Sequence, residues 1–176
     1  MKKILLVVSV VIAAVLIGAP MVNSTFALSD EQRQVISGEC GTIRQVLQNL
    51  QKTDAKTRVK LGFEYETILS KYMIPFSSRL AKNSISNSEF VDIQSEFKDV
   101  KQAFSEDFIV YQKNLENLVA YNCSENPDEF YDKLQTLRSD RERVRQDTIK
   151  LSNLIKKHQS AVLKMLETLW QKVVKI

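Results

Sequence analysis

The sequence predicts an all-α protein: an elongated antiparallel three-helix bundle of coiled-coil type that follows an N-terminal signal or anchor segment. One observation is the scarcity of turn-forming residues, because the 176-residue chain has only four glycines and three prolines. A β-rich fold needs many tight turns, which depend on Gly, Pro and Asn-Gly pairs. The other observation is that apolar residues recur at steps of three and four over long stretches, which is the period of an α-helix.

The first 27 residues have the pattern of a targeting segment. Lys2 and Lys3 precede an uncharged apolar run over residues 4–22, and small residues follow it up to Ala27. This pattern predicts a signal peptide over residues 1–27, cleaved after Ala27. The alternative is an uncleaved membrane anchor, because about 20 apolar residues can span a bilayer. Both interpretations place the rest of the chain outside the cytoplasm, secreted or tethered to the outer face of the cytoplasmic membrane.

Residues 28–176 are predicted to form one bundle whose helices cover about 30–82, 87–122 and 127–174. The first helix should be kinked near Pro75, because proline has no N–H to donate. The third helix begins with a strong signal, in which Asn126 is a suitable N-cap and Pro127 takes the first helical position. Its predicted buried seam is Phe130, Leu134, Leu137, Arg141, Val144, Thr148, Leu151, Ile155, His158 and Val162.

The two cysteines of the chain, Cys40 and Cys123, are predicted to form a disulfide. Short turns make neighbouring helices antiparallel, so the start of the first helix meets the end of the second. An even cysteine count in an exported chain also favours a disulfide. The alternative is a pair of buried free thiols. Metal binding needs more ligands than two cysteines and one distant histidine supply.

A polar layer in the core is predicted at Asp54 and Arg141. Asp54 lies 14 residues after Cys40, and Arg141 lies 14 residues after Pro127. Equal rise places both side chains about 21 Å from the disulfide end. A buried site is one interpretation, and an ion pair that fixes the register of the helices is the simpler one.

The end of the third helix is the candidate contact surface. It should project beyond the second helix after about Leu163, and its apolar side is wider than a coiled-coil seam requires. The simplest interpretation packs this side on the end of the first helix, around Phe76 and Leu80. Self-association and insertion in a membrane interface are the alternatives. The residues concerned are Met165, Leu166, Leu169, Trp170, Val173 and Val174.

A series of short motifs runs along the helical part of the chain: Cys40 followed by Ile43, then Leu50-Gln51, Asp54-Ala55, Arg58-Val59, Leu61-Gly62 and Tyr65-Glu66, and later Cys123, Phe130-Tyr131 and Asp147-Thr148 before Leu151. In these motifs the chain resembles a group of uncharacterised exported helical, coiled-coil-like proteins from candidate-phyla (Saccharibacteria-type) bacteria. The resemblance covers most of the exported part and rests on modest helical motifs. It implies export and a helical bundle, and it implies no particular activity.

The sequence contains no motif that indicates catalysis or a cofactor. Gly-rich phosphate loops, zinc-ligand spacings and nucleophile elbows are all missing. The single histidine, His158, lies on the predicted seam and is interpreted as a core or boundary residue. The net charge of +4 is too small for a dedicated nucleic-acid binder, and no small-molecule substrate is evident.

The expected function is therefore that of an exported non-catalytic structural or protein-interaction module of the cell envelope. Its expected partner is a protein, either a second copy or an envelope component. The alternative is a membrane-surface or lipid-binding helical protein that acts through its C-terminal amphipathic segment.

Overall fold

The structure, a computed structural model, describes residues 28–174, and all regular secondary structure in this range is helical. The all-α prediction is confirmed. The predicted signal or anchor over residues 1–27 lies outside the described residues. The elements are α1 (Asp30–Gly38), α2 (Cys40–Thr67), a π-helix (Ile68–Met73), α3 (Ile74–Lys82), α4 (Ser88–Ala120) and α5 (Pro127–Val174).

The stretch predicted as one helix over about 30–82 is divided, which corrects that prediction. The first break is at Glu39, directly after Gly38, a residue type that weakens a helix because its backbone loses the most entropy on ordering. The second change is the π-helix Ile68–Met73. It lies just before Pro75, whose ring would clash with the carbonyl four residues earlier in a regular α-helix. A widened π turn relieves that conflict without ending the helical path.

Both ends of the α1–α3 stretch are fixed by side-chain hydrogen bonds. Ser29 caps α1, because its Oγ accepts from the Gln32 N–H at 3.2 Å while Gln32 Oε1 accepts from the Ser29 N–H at 2.9 Å. This reciprocal pair is a capping box. After α3, the chain turns at Ser84, whose φ is 55°. Asn87 then donates from its amide to the Ser77 carbonyl at 3.2 Å, which ties the start of α4 to α3.

The core is centred on α4. Its eight buried side chains are each at most 4% exposed, so α4 is covered on more than one side. It contacts α5 most extensively and α2 next. Four of the eight are phenylalanines, which bury the largest apolar areas and so dominate the packing energy. The eight residues are Phe90, Ile93, Phe97, Phe104, Phe108, Tyr111, Leu115 and Leu118.

Contacts along α4 and α5 show that the two helices run antiparallel. Near the end of α4, Asn114 donates to Asp140 at 2.6 Å. Near its start, Glu96 pairs with Lys157 at 3.7 Å. The partner on α5 therefore moves later in the chain as the α4 residue moves earlier. The connection between the two helices, residues 121–126, is short, as such an arrangement requires.

The buried face of α5 differs from the predicted seam by one residue at alternate positions. The predicted seam includes the residues four positions after Leu137, Val144, Leu151 and His158, namely Arg141, Thr148, Ile155 and Val162. The structure buries the series three residues after them instead, namely Asp140, Asp147, Leu154 and Ala161. The reason is visible in the contacts: Asp140 meets α4, the main partner of α5, whereas Arg141 meets α2.

Within residues 28–174, no helix combines the length and the apolar character that crossing a membrane requires.

Candidate functional site

Cys40 and Cys123 form a disulfide that joins the start of α2 to the connection between α4 and α5. Their Cα atoms are 5.5 Å apart, and both side chains are buried. The cross-link closes a sequence separation of 83 residues. Leu118 and Phe130, each 1% exposed, belong to the same core cluster. We call this part of the molecule the disulfide end.

Polar contacts on the surface also hold the disulfide end together. Arg33 of α1 donates from Nε to Asp128 at the start of α5 at 2.9 Å. The hydrogen bond to Asp128 is the main reason why the pKa of Arg33 is raised. Tyr121 donates to the Glu129 carboxylate, which raises the pKa of the tyrosine to about 12 and lowers that of Glu129. Three segments of the chain are therefore joined around the cross-link.

Asp54 and Arg141 are brought together, but not as the buried layer that was expected. Arg141 Nε lies 3.7 Å from Asp54 Oδ2, and the Arg141 side chain is 58% exposed against 15% for Asp54. The long arginine reaches the edge of the core from a solvent-facing position. The buried partner of Asp54 is Tyr111 of α4, whose hydroxyl donates to Oδ2 at 2.6 Å. Burial, and then this hydrogen bond, raise the pKa of Tyr111.

Two buried carboxylates, Asp140 and Asp147, were missed by the sequence analysis. Asp140 accepts from Asn114 at 2.6 Å and from Arg143 at 2.7 Å. Asp147 accepts from Lys150 at 3.0 Å, and its second oxygen is buried without a hydrogen-bond partner among the described residues. Their spacing of seven residues on the helix was the available signal. Each carboxylate has a partially exposed cation three residues further on, which offsets the cost of burial.

His158 marks the point where the packed core gives way to the exposed end of α5. Its ring lies edge-on to Phe76, with the ring centroids 5.7 Å apart, and to Phe90, at 5.5 Å. Its Nε2 atom is buried without a hydrogen-bond partner among the described residues. Burial lowers the pKa of His158, so the ring is neutral at pH 7. It packs as a boundary residue between α3, α4 and α5.

The last turns of α5, residues 163–174, form what we call the α5 terminal segment. Its residues Met165 and Leu169 are half-buried, and Met165 packs against the core cluster that contains Leu80. The remaining apolar side chains of the segment are exposed, with Trp170 at 67%. Only part of the apolar surface is therefore packed on the rest of the molecule. The exposed residues are Leu163, Leu166, Trp170, Val173 and Val174.

The polar side of the α5 terminal segment lines a shallow surface depression formed by this one helix. Its lining residues are Lys164, Glu167, Thr168, Gln171 and Lys172. A depression on a single helix does not enclose a ligand, and small-molecule sites are concave and bury most of their ligand. Among the described residues, no three His, Cys, Asp or Glu side chains lie close enough together to hold a metal ion.

Comparison of the chain with protein-family models, with curated proteins and with solved structures gives no match.

Proposed function

We propose that this protein is an exported, non-catalytic helical module of the cell envelope with a structural or protein-interaction role. The observation that carries the proposal is the exposed apolar side of the α5 terminal segment, at the far end of a molecule whose other end is cross-linked. Soluble monomers rarely leave several large apolar side chains together in water unless they contact something. The segment is therefore the proposed contact surface.

The architecture that fits this role is an elongated antiparallel three-helix bundle. In this view α1, α2, the π-helix and α3 together form the first helical arm of the bundle. The second arm is α4 and the third is α5. Pairs along the arm support the view, because Cys40 meets Cys123, Tyr65 meets Phe97, and Phe76 meets Phe90. With 48 residues, α5 is about 70 Å long. The proposed contact surface then lies about that far from the disulfide end, as in a spacer.

Export is part of the proposal and is supported by the disulfide. Structural disulfides persist in oxidising compartments and are rare in the cytosol. The targeting pattern of residues 1–27 agrees with that placement. The protein would be secreted or held at the outer face of the cytoplasmic membrane.

A crosslinking pull-down from intact cells tests the proposal. The full chain is compared with a variant truncated after Met165, which removes Leu166, Trp170 and Val173 but no buried core residue. We expect the truncated protein to keep its disulfide and its helical signal, and to lose a reproducible set of crosslinked envelope components or copies of itself. The matched control is Phe63→Ser, because Phe63 is 70% exposed on α2, outside the segment. Equal crosslinking of all three proteins would contradict the proposal.

The second candidate function is a membrane-surface or lipid-binding protein that acts through the same segment. It is favoured by one specific observation, which is that the exposed Trp170 shares its helix with several lysines. Tryptophan and lysine together are typical of helices that lie in a membrane interface.

A further inference from the structure

We propose that the α5 terminal segment binds an anionic lipid-membrane interface, lying in its plane. This inference rests on the proposed contact surface and deepens the second candidate function, because it names an anionic membrane as the partner of that surface. It is carried by the arrangement of the exposed apolar side chains, by the charge of the last part of α5 and by the position of the segment in the fold.

The exposed apolar residues lie on one side of the helix. Their positions 163, 166, 170, 173 and 174 differ by steps of three and four with one adjacent pair. At about 100° per residue they cover an arc roughly 100° wide. An amphipathic helix that lies in a membrane interface inserts an arc of this kind among the upper acyl chains. Trp170 lies near the middle of the arc, where its ring would reach the headgroup level.

The net charge at the end of the chain is positive. Residues 163–176 contain three lysines and one acid, Glu167, so their net charge is +2. Lys164 and Lys172 lie more than about 100° round the helix from Trp170, on the polar side, and form no ion pair with any residue in the described range. Their long apolar stems allow the ammonium groups to reach lipid phosphates from that side. Basic residues beside a membrane strengthen binding to an anionic surface.

The size of the segment disfavours a second copy as the partner. The segment is short, since 12 residues make about three helical turns. A stable dimer normally buries about 800 Å² on each partner, which is a large requirement for one face of three turns. An extended anionic membrane surface does not impose this requirement.

The position in the fold leaves the segment free to lie on such a surface. Ala161 is the last buried residue of α5, and beyond Met165 no residue belongs to the core cluster within the described range. Insertion of Leu166, Trp170 and Val173 would therefore not require any core contact to break. The ordering cost is small as well, because the segment is already helical.

The test uses the exported, oxidised protein and vesicles of phosphatidylcholine, with or without an equal part of phosphatidylglycerol. Trp170 is the only tryptophan of the chain, so fluorescence excited selectively at tryptophan reports on this segment alone. We expect a blue shift and co-flotation with the anionic vesicles, neither with phosphatidylcholine alone, and weakening of both at high salt. Trp170→Ser lacks the fluorophore, so it is followed by flotation, where its partition coefficient should fall about tenfold or more.

Matched variants separate the contribution of the lysine charges to binding from that of the apolar side chains. Lys164→Gln with Lys172→Gln should abolish the preference for anionic vesicles, whereas Lys52→Gln with Lys56→Gln, on the exposed side of α2, should not. Phe63→Ser controls for loss of an exposed aromatic residue. No blue shift with either vesicle, or equal binding of every variant, would overturn the proposal. If the crosslinks that depend on residues 166–176 persist in that case, the contact surface stands and its partner is a protein.

Discussion

The two ends of this molecule differ in how deeply their aromatic residues are buried. At the disulfide end, Phe130 is 1% exposed and lies in the same core cluster as the buried cross-link. In the α5 terminal segment, Trp170 is 67% exposed on the same helix, 40 residues later. One helix therefore begins inside a closed core and ends with its apolar side in water. The difference shows that the packed core stops before the end of α5, which leaves the α5 terminal segment largely exposed.

The two ends also differ in how many of their charged side chains form ion pairs or hydrogen bonds within the chain. At the disulfide end, Arg33 pairs with Asp128, and Tyr121 pairs with Glu129. In the α5 terminal segment, Lys164 and Lys172 have no ion-pair partner among the described residues. Charged groups that already pair within the chain gain little from a partner. Unpaired charges beside exposed apolar side chains can attract a partner, and the apolar side chains can be buried against it.

Removing the disulfide should have the largest effect on the free energy of unfolding, because it opens the end of the molecule that is cross-linked. The double variant Cys40→Ser, Cys123→Ser releases a loop of 83 residues in sequence separation. The chain-entropy treatment gives a loss of about 4 kcal/mol in the free energy of unfolding. Urea unfolding followed by circular dichroism measures it, with the wild-type protein in reducing buffer as the second comparison. A loss below about 1 kcal/mol would mean that packing alone closes this end.

Truncating the buried aromatic residue at the disulfide end should have the next largest effect. Phe130→Ala leaves a cavity beside the cross-link, and we expect a loss of about 3 kcal/mol, at the low end for phenylalanine because the site lies one turn from the helix start. The same urea titration measures it. Tyr131→Ala, at the half-buried neighbouring position, is the control and should cost clearly less.

Acidification should lower the stability of the packing around His158, where the core meets the exposed end of α5. The pKa of His158 is lowered by burial from 6.5, so below that value the unfolded chain binds a proton that the folded chain does not. Stability should therefore be greatest above about pH 6.5 and decrease as the pH falls below it. One proton limits the slope to about 1.4 kcal/mol per pH unit, and the partly exposed ring should give less.

His158→Phe is the decisive variant for this pH dependence, because His158 is the only histidine in the chain. Unfolding free energies between about pH 7.5 and about pH 5.5 should become flatter in the variant. Hydrogen exchange would locate the effect, with protection lost first in α5 beyond His158 and retained around Cys123. An unchanged slope in the variant would assign the dependence to other groups.

The smallest effect is expected for the exposed aromatic residue. Trp170→Ala removes a larger side chain than Phe130→Ala does, but from a position that is 67% exposed. We expect a change within about 0.5 kcal/mol in the free energy of unfolding. If it approached the loss for Phe130→Ala, the α5 terminal segment would be part of the core, and its proposed role as a contact surface would be wrong.

The sequence predicted the disulfide because turn positions and helix direction are enough to bring Cys40 and Cys123 together. It predicted that Asp54 and Arg141 meet for the same reason, and they lie 3.7 Å apart. It placed Arg141 on the buried seam, whereas the structure buries Asp140 instead. Both lie on the edge of an apolar stripe, and steps of three and four fit a helix equally well. Only the identity of the neighbouring helix distinguishes them, and that is a long-range property.

By itself, the sequence determined the all-α class and the position of the cross-link, because helical periodicity and the lack of turn residues are local properties. The tertiary structure decided how the helical stretch before Lys82 is divided and how deeply each side of α5 is buried. It also decided that Leu166 and Trp170 remain exposed while Met165 packs on the core. All of these residues belong to one apolar side in the sequence. Their burial differs because the number of residues on the neighbouring helices, and not the α5 sequence, sets where the packed core ends.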